Sequence, residues 1–163
     1  MLRDARSTLL SKMKKHSVCA EIGVWKGRFS KNILDAMKPK MLHLIDPYKY
    51  QPEFGPRLYG GKVAKSQEDM DEIFEATKKR FARFRNVTFH RDFSNKTSTQ
   101  FEDAYFDWVY IDGNHAFEYV LEDLELYFPK VKSGGFLTGD DFSWSPSEKP
   151  GTRPVTRLSL IHI

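Results

Sequence analysis

The strongest constraint on this chain is a recurring unit. A short apolar run ends at an acid or a glycine, and a stretch with helical periodicity follows. Val18–Ile22 stops at Gly23, Met41–Ile45 at Asp46, and Phe106–Ile111 at Asp112. Asn86–His90 is followed by Asp92, and Phe136–Thr138 by Gly139, Asp140 and Asp141. Apolar runs of this length read as strands buried on both faces. Between them, Phe29, Ile33, Leu34 and Met37 mark one helical face, and Met70, Ile73, Phe74, Thr77, Phe81 and Phe84 a second. Phe117, Val120, Leu121, Leu124 and Phe128 mark a third, and Leu2, Leu9, Leu10 and Met13 suggest a short opening helix. Strands alternating with helices need crossover connections. The expected fold is therefore α/β and Rossmann-like, a mostly parallel sheet with helices on both faces.

In open sheets of this kind, ligands bind outside the carboxyl ends of the strands. Asp46, Asp92, Asp112, Asp140 and Asp141 all follow such ends. Any one of them could be a turn former or a helix cap, but their recurrence at equivalent positions favours a site. The segment Glu21–Ser30, "EIGVWKGRFS", reads as a strand, a glycine turn and a helix start. Gly23 permits a sharp turn and close approach of a ligand to the main chain, and Gly27 opens the helix. The spacing is G-x-x-x-G rather than the G-x-G-x-x-G that seats a pyrophosphate, so a nucleoside without pyrophosphate fits better. Asp46 is placed to accept hydrogen bonds from both ribose hydroxyls; the alternative is that Asp46-Pro47 only begins a turn. Asp92 contacts an adenine amino group or caps the segment after it.

A chain of 163 residues has room for one domain with a real core, so 1–163 is read as a single domain. The net charge of +4 is mild, and the cluster Lys78, Lys79, Arg80, Arg83 and Arg85 falls opposite Phe81 and Phe84 on a predicted helix. A solvated helix face explains it better than a nucleic-acid footprint. Cys19 is the only cysteine and lies in a strand pattern, which reads as a core position and excludes an internal disulfide. No apolar run approaches membrane-spanning length, and the N-terminus lacks a signal-peptide pattern; a cytoplasmic setting is expected. Composition leaves the oligomeric state open.

With these motifs in place, the chain resembles the class I S-adenosylmethionine-dependent methyltransferases. More narrowly, it resembles the group that includes macrocin-type sugar O-methyltransferases. The residues that carry the likeness are "EIGVWKGRFS", "LIDPY" and Tyr110–Phe142, "YIDGNHAFEYVLEDLELYFPKVKSGGFLTGDDF". The resemblance implies that Glu21, Gly23, Gly27 and Asp46 serve the cofactor. It further implies that Asp112, Asp140 and Asp141 hold a divalent cation, for which magnesium is the natural choice. Such a cation would hold two vicinal oxygens of a small hydroxylated acceptor, a sugar for instance, and acidify the attacking hydroxyl. The alternatives are a methyltransferase that uses no metal and a non-catalytic nucleoside-binding fragment.

His115 is the candidate base, since imidazole titrates near neutrality; its other reading is an N-cap or supporting partner for the helix that follows. Relatives often carry an acid where this chain has Asn114, and an amide cannot take up a proton. Trp25 and Phe142 are candidates for packing against cofactor or substrate, and Tyr48, Tyr50 and Tyr59 for lining an acceptor pocket. The family fold continues past the fifth strand with a helix and an antiparallel strand pair. The segment from Ser143 has no room for both, so a C-terminally shortened domain is expected.

Overall fold

The computed structural model describes residues 5–54 and 63–139. In chain order they form α1 (Ala5–Lys12), β1 (Val18–Ile22), α2 (Arg28–Met37), β2 (Met41–Ile45), α3 (Gln67–Phe81), β3 (Val87–His90), α4 (Ser94–Ser98), β4 (Phe106–Ile111), α5 (Phe117–Tyr127) and β5 (Val131–Gly139). A single 3₁₀ turn, Pro52–Phe54, lies in the loop after β2. The five strands make one parallel sheet in the order β3-β2-β1-β4-β5. The chain is thus an α/β Rossmann-like domain, as its alternating pattern predicts.

Side-chain alternation along the strands sorts the core into two layers. Cys19, Leu42, Leu44, Trp108 and Tyr110 face Phe29, Ile33, Met37 and Phe81 of α2 and α3. Ala20, Ile22, Ile45, Val109 and Ile111 face Phe101 and Tyr127, on the side of α4 and α5. The buried Trp108 indole N–H donates to the Ser17 hydroxyl at 2.8 Å. Cys19 is fully buried, and burial pushes its thiol up to about 12, as suits a core residue rather than a nucleophile. α3 opens on Ser66, whose hydroxyl accepts from the Asp69 N–H. Its residues Lys78, Lys79 and Arg80 are exposed while Phe74 and Phe81 are buried, and the Lys78 ammonium lies over the Phe74 ring at 5.6 Å. Among the described residues no helix is long and apolar enough to cross a membrane.

Three elements differ from expectation. β5 begins at Val131 rather than Phe136, because Ser133-Gly134-Gly135 forms an irregularity inside the strand instead of a turn before it. Phe106 pairs with Val131 and Trp108 with Phe136, so β5 carries extra residues between these pairs, with Gly134 at φ +76°. The one-and-a-half-turn α4 has too few residues for a readable period. The buried stripe of α5 is Val120, Asp123 and Tyr127, while Phe128 is 63% exposed. Asp140, Asp141, Phe142, Tyr59 and the expected C-terminal shortening lie outside the described residues.

Candidate active site

The loops at the carboxyl ends of β1, β2 and β4 are drawn together by hydrogen bonds that continue the sheet beyond its strands. The Gly23 N–H donates to the Ile45 carbonyl at 2.9 Å and the Asp112 N–H to the Ile22 carbonyl at 2.7 Å. Gly23 has φ +87°, and a Cβ there would stand 2.0 Å from the Asp112 carbonyl oxygen. Both the turn and the close passage of the β4 loop therefore require glycine. Above this junction opens a cavity of about 500 Å³.

Asp46 organises one side of it. The residue is 1% exposed. Its Oδ2 accepts from the Val24 and Trp25 N–H groups at 2.8 and 2.9 Å, and its Oδ1 from the Tyr48 N–H at 2.9 Å. The expected ribose acceptor is thus also the carboxylate that clamps the β1 loop to the β2 loop. Trp25 and Tyr48 both adopt left-handed backbone conformations, φ +52° and +43°, unusual for bulky residues. The Tyr48 hydroxyl donates to the Trp25 carbonyl at 2.7 Å and ties the two loops again. Tyr48 is consequently a buried brace rather than a lining of an acceptor pocket, and Tyr50 packs at the edge of the same cluster. Trp25 does line the cavity.

Glu21, at the end of β1, is 1% exposed and lines the cavity. Burial pushes its carboxyl up to about 8; the Ser30 hydroxyl, which donates to Oε2, works in the opposite direction, and Asp112 adds to the rise. Asp112, at the end of β4, is partnered by Arg6 of α1, which donates to its Oδ2 at 2.8 Å. The Arg6 guanidinium also lies over the Phe29 ring, 5.1 Å from its centroid. His115 Nε2 is 3.9 Å from Asp112 Oδ1, and its side chain is 18% exposed in the cavity wall.

Ahead of α5, Asn114 Oδ1 accepts from the Ala116 N–H at 2.9 Å in an Asx turn, while the helix starts at Ala116 without a side-chain cap, from His115 or any other residue. Gly27 and Asp92 do not line the cavity. Gly27, at φ +67°, makes room for α3: a Cβ there would meet the Phe81 ring at 2.6 Å. Asp92 accepts from the Phe93 N–H at 2.8 Å and pairs with Lys96 at 3.7 Å, and α4 itself starts at Phe93 without a side-chain cap.

Sequence reasoning missed Asp123. It is 4% exposed, lines the cavity from α5, and burial pushes its carboxyl up to about 6 against a hydrogen bond from Ser94. Its signal was an acid three residues after Val120 and four before Tyr127, on the buried stripe of a helix.

A family model described as a methyltransferase domain matches residues 20–142. The chain belongs to this methyltransferase family. Its family and fold are those of the class I S-adenosylmethionine-dependent enzymes that its motifs resemble. An uncharacterised protein of Acanthamoeba polyphaga mimivirus is 35% identical over 52 residues, 30% of this chain and 24% of that protein. The methyltransferase domain thus matches about a quarter of that relative's length. Among solved structures, precorrin 8w decarboxylase of Methanobacterium thermoautotrophicum superposes with a TM-score of 0.59 at 16% identity, covering 99% of this chain and 69% of that one. A phosphoethanolamine N-methyltransferase of Haemonchus contortus, solved with phosphoethanolamine and S-adenosylhomocysteine, gives 0.61 at 15% identity over 88% and 26%. At these identities the likeness is one of fold.

The wall of the cavity in the methyltransferase domain carries the acids Glu21, Asp46, Asp112, Glu122 and Asp123 beside Arg6, Lys26 and Arg28. Among the described residues, no group of three His, Cys, Asp or Glu side chains is placed to hold a metal ion. Asp112, the one described member of the expected cation set, has an arginine as its partner.

Proposed function

We propose that this domain transfers a methyl group from S-adenosylmethionine to a hydroxyl of a small acceptor, of the sugar type that the macrocin-like motifs suggest. The observation that carries the reading is the convergence of Glu21, Gly23, Asp46 and Asp112 on one cavity at the strand ends. The donor carries a sulfonium and an ammonium, and an acid-rich wall attracts both. In this reading Gly23 lets the methionine part approach the main chain, and the Asp46 carboxylate in the cavity wall accepts from a ribose hydroxyl.

Methyl transfer to oxygen is an in-line displacement, so the protein's tasks are positioning, exclusion of water and removal of one proton. His115 takes the hydroxyl proton, with Asp112 at hand to stabilise the imidazolium that forms. A divalent cation on Asp112, Asp140 and Asp141 would have to share the Asp112 carboxylate with Arg6, which donates to its Oδ2. Arg6 already brings positive charge to this carboxylate, and that contact favours the metal-free form of the reaction.

Calorimetry with S-adenosylhomocysteine, with and without magnesium, tests the proposal, followed by turnover of S-adenosylmethionine against panels of sugars and catechols. Binding of the nucleoside with turnover on a hydroxylated acceptor is expected. No nucleoside binding would overturn the reading.

A further inference from the structure

The cavity straddles the carboxyl edge of the sheet. Arg6, Glu21 and Phe29 wall it on the side of α1 and α2, while Phe93, Ser94 and Asp123 wall it on the side of α4 and α5. The first wall carries the groups suited to the charged amino-acid end of a donor. The second joins an aromatic side chain, the apolar Ile45 and a single buried acid. That combination suits a flat, neutral base with N–H donors at its edge.

Asp123 is built into this wall. Tyr127, one turn further along α5, donates its hydroxyl to the Ser94 carbonyl at 2.9 Å, and Glu122 accepts from the Asn95 side chain at 3.2 Å. Both contacts fix the start of α4 against α5. Ser94 supplies Asp123 with one hydrogen bond. A carboxylate has room for about four, and a buried one left short of donors is costly. Gly113, which also lines the cavity, puts no side chain against the acid: a Cβ there would touch Asp123 Oδ2 at 3.7 Å.

Resting on the nucleoside reading above, we infer that Asp123, not Asp92, recognises the base of the bound cofactor by accepting a hydrogen bond from its exocyclic amino group. Asp92 cannot share that role from its position, because its carboxylate is turned to the Phe93 N–H and Lys96 outside the cavity lining.

The test is calorimetric, with S-adenosylhomocysteine and an analogue whose 6-amino group is replaced by hydrogen. The wild-type chain should bind the amino form about tenfold or more tightly, the scale of a hydrogen bond to a charged group. Asp123→Ala should bring the two ligands to near-equal affinity, and Asp92→Ala should leave the preference intact. Asp123→Asn, which keeps shape and the Ser94 contact, should give an intermediate preference and serves if the alanine variant does not fold. Equal wild-type affinity for both ligands would overturn the inference, and so would a preference that stays at its full wild-type size in Asp123→Asn or disappears at Asp92→Ala. If the wild type binds neither ligand, the nucleoside reading itself falls and this assignment with it.

Discussion

Arg6 donates to Asp112 at 2.8 Å, across 106 residues of sequence, and so places a cation from the first helix on the acid that ends the fourth strand. The pair is partly exposed, so its contribution to stability is small, about 0.2–1 kcal/mol. Its effect on the site should be larger. In Arg6→Met the Asp112 carboxylate is left beside Glu21 without its counter-charge, and magnesium should bind several-fold more tightly than to the wild type, as read by titration calorimetry. Unchanged magnesium affinity would show that Arg6 does not compete with a cation for this acid.

Gly23→Ala should be among the most damaging single changes. The new methyl would meet the Asp112 carbonyl in a backbone conformation that alanine resists. A loss of about 2–4 kcal/mol is expected in chemical denaturation. Gly27→Ala faces a ring edge rather than backbone, so a smaller loss, on the order of 1–2 kcal/mol, should follow as Phe81 shifts.

These two glycines show how far the sequence reached. The turn was legible in "EIGVWKG", because positive φ leaves glycine as a signature. Whether a glycine faces a ligand or a helix is decided by what packs above it, and Phe81 stands 54 residues away from Gly27. The strand ends and their acids were legible because the apolar runs stop sharply. Asp92 and Asp123 could not be ranked, since that depends on how α5 rotates on the sheet. The apolar residues of α5 are spread too evenly to fix the rotation, and Phe128 proves to be exposed. The turn glycines before Phe136 were visible, but an irregular strand and a true turn draw on the same residues.

Histidine burial should make the fold sensitive to acid. His43 and His90 are hydrogen-bonded ring to ring at 2.9 Å, and His43 also reaches the Tyr105 hydroxyl at 3.1 Å. Burial lowers the pKa of both, that of His43 from 6.5 to about 4. The unfolded chain therefore binds more protons than the folded one in this interval, and stability should fall as pH drops from about 6.5 towards 4. His43 contributes up to about 3 kcal/mol of that loss. Denaturation midpoints across this range would reveal it, and a His43→Phe variant should flatten the profile.

His115→Ala should separate chemistry from binding. Turnover on the acceptor should fall by about 10²- to 10⁴-fold. Affinity for S-adenosylhomocysteine should stay within about twofold, because a base for the acceptor hydroxyl contributes little to holding the donor product. A matched loss of both would make His115 part of the nucleoside wall instead.

Asp46→Asn should weaken the fold and the site together. The amide keeps one acceptor oxygen where the carboxylate serves three backbone N–H groups through two. A loss of about 1–3 kcal/mol in stability is expected, together with weaker nucleoside binding, read by parallel melting and calorimetry.

The double tie between the β1 and β2 loops has one more consequence. Trp25 and Tyr48 hold each other in backbone conformations that neither would choose alone, with Asp46 between them. The ordering entropy of this part of the cavity is therefore charged to folding and not to the encounter with a ligand. Association at this wall should need no slow rearrangement, and its rate should follow diffusion and charge rather than loop motion.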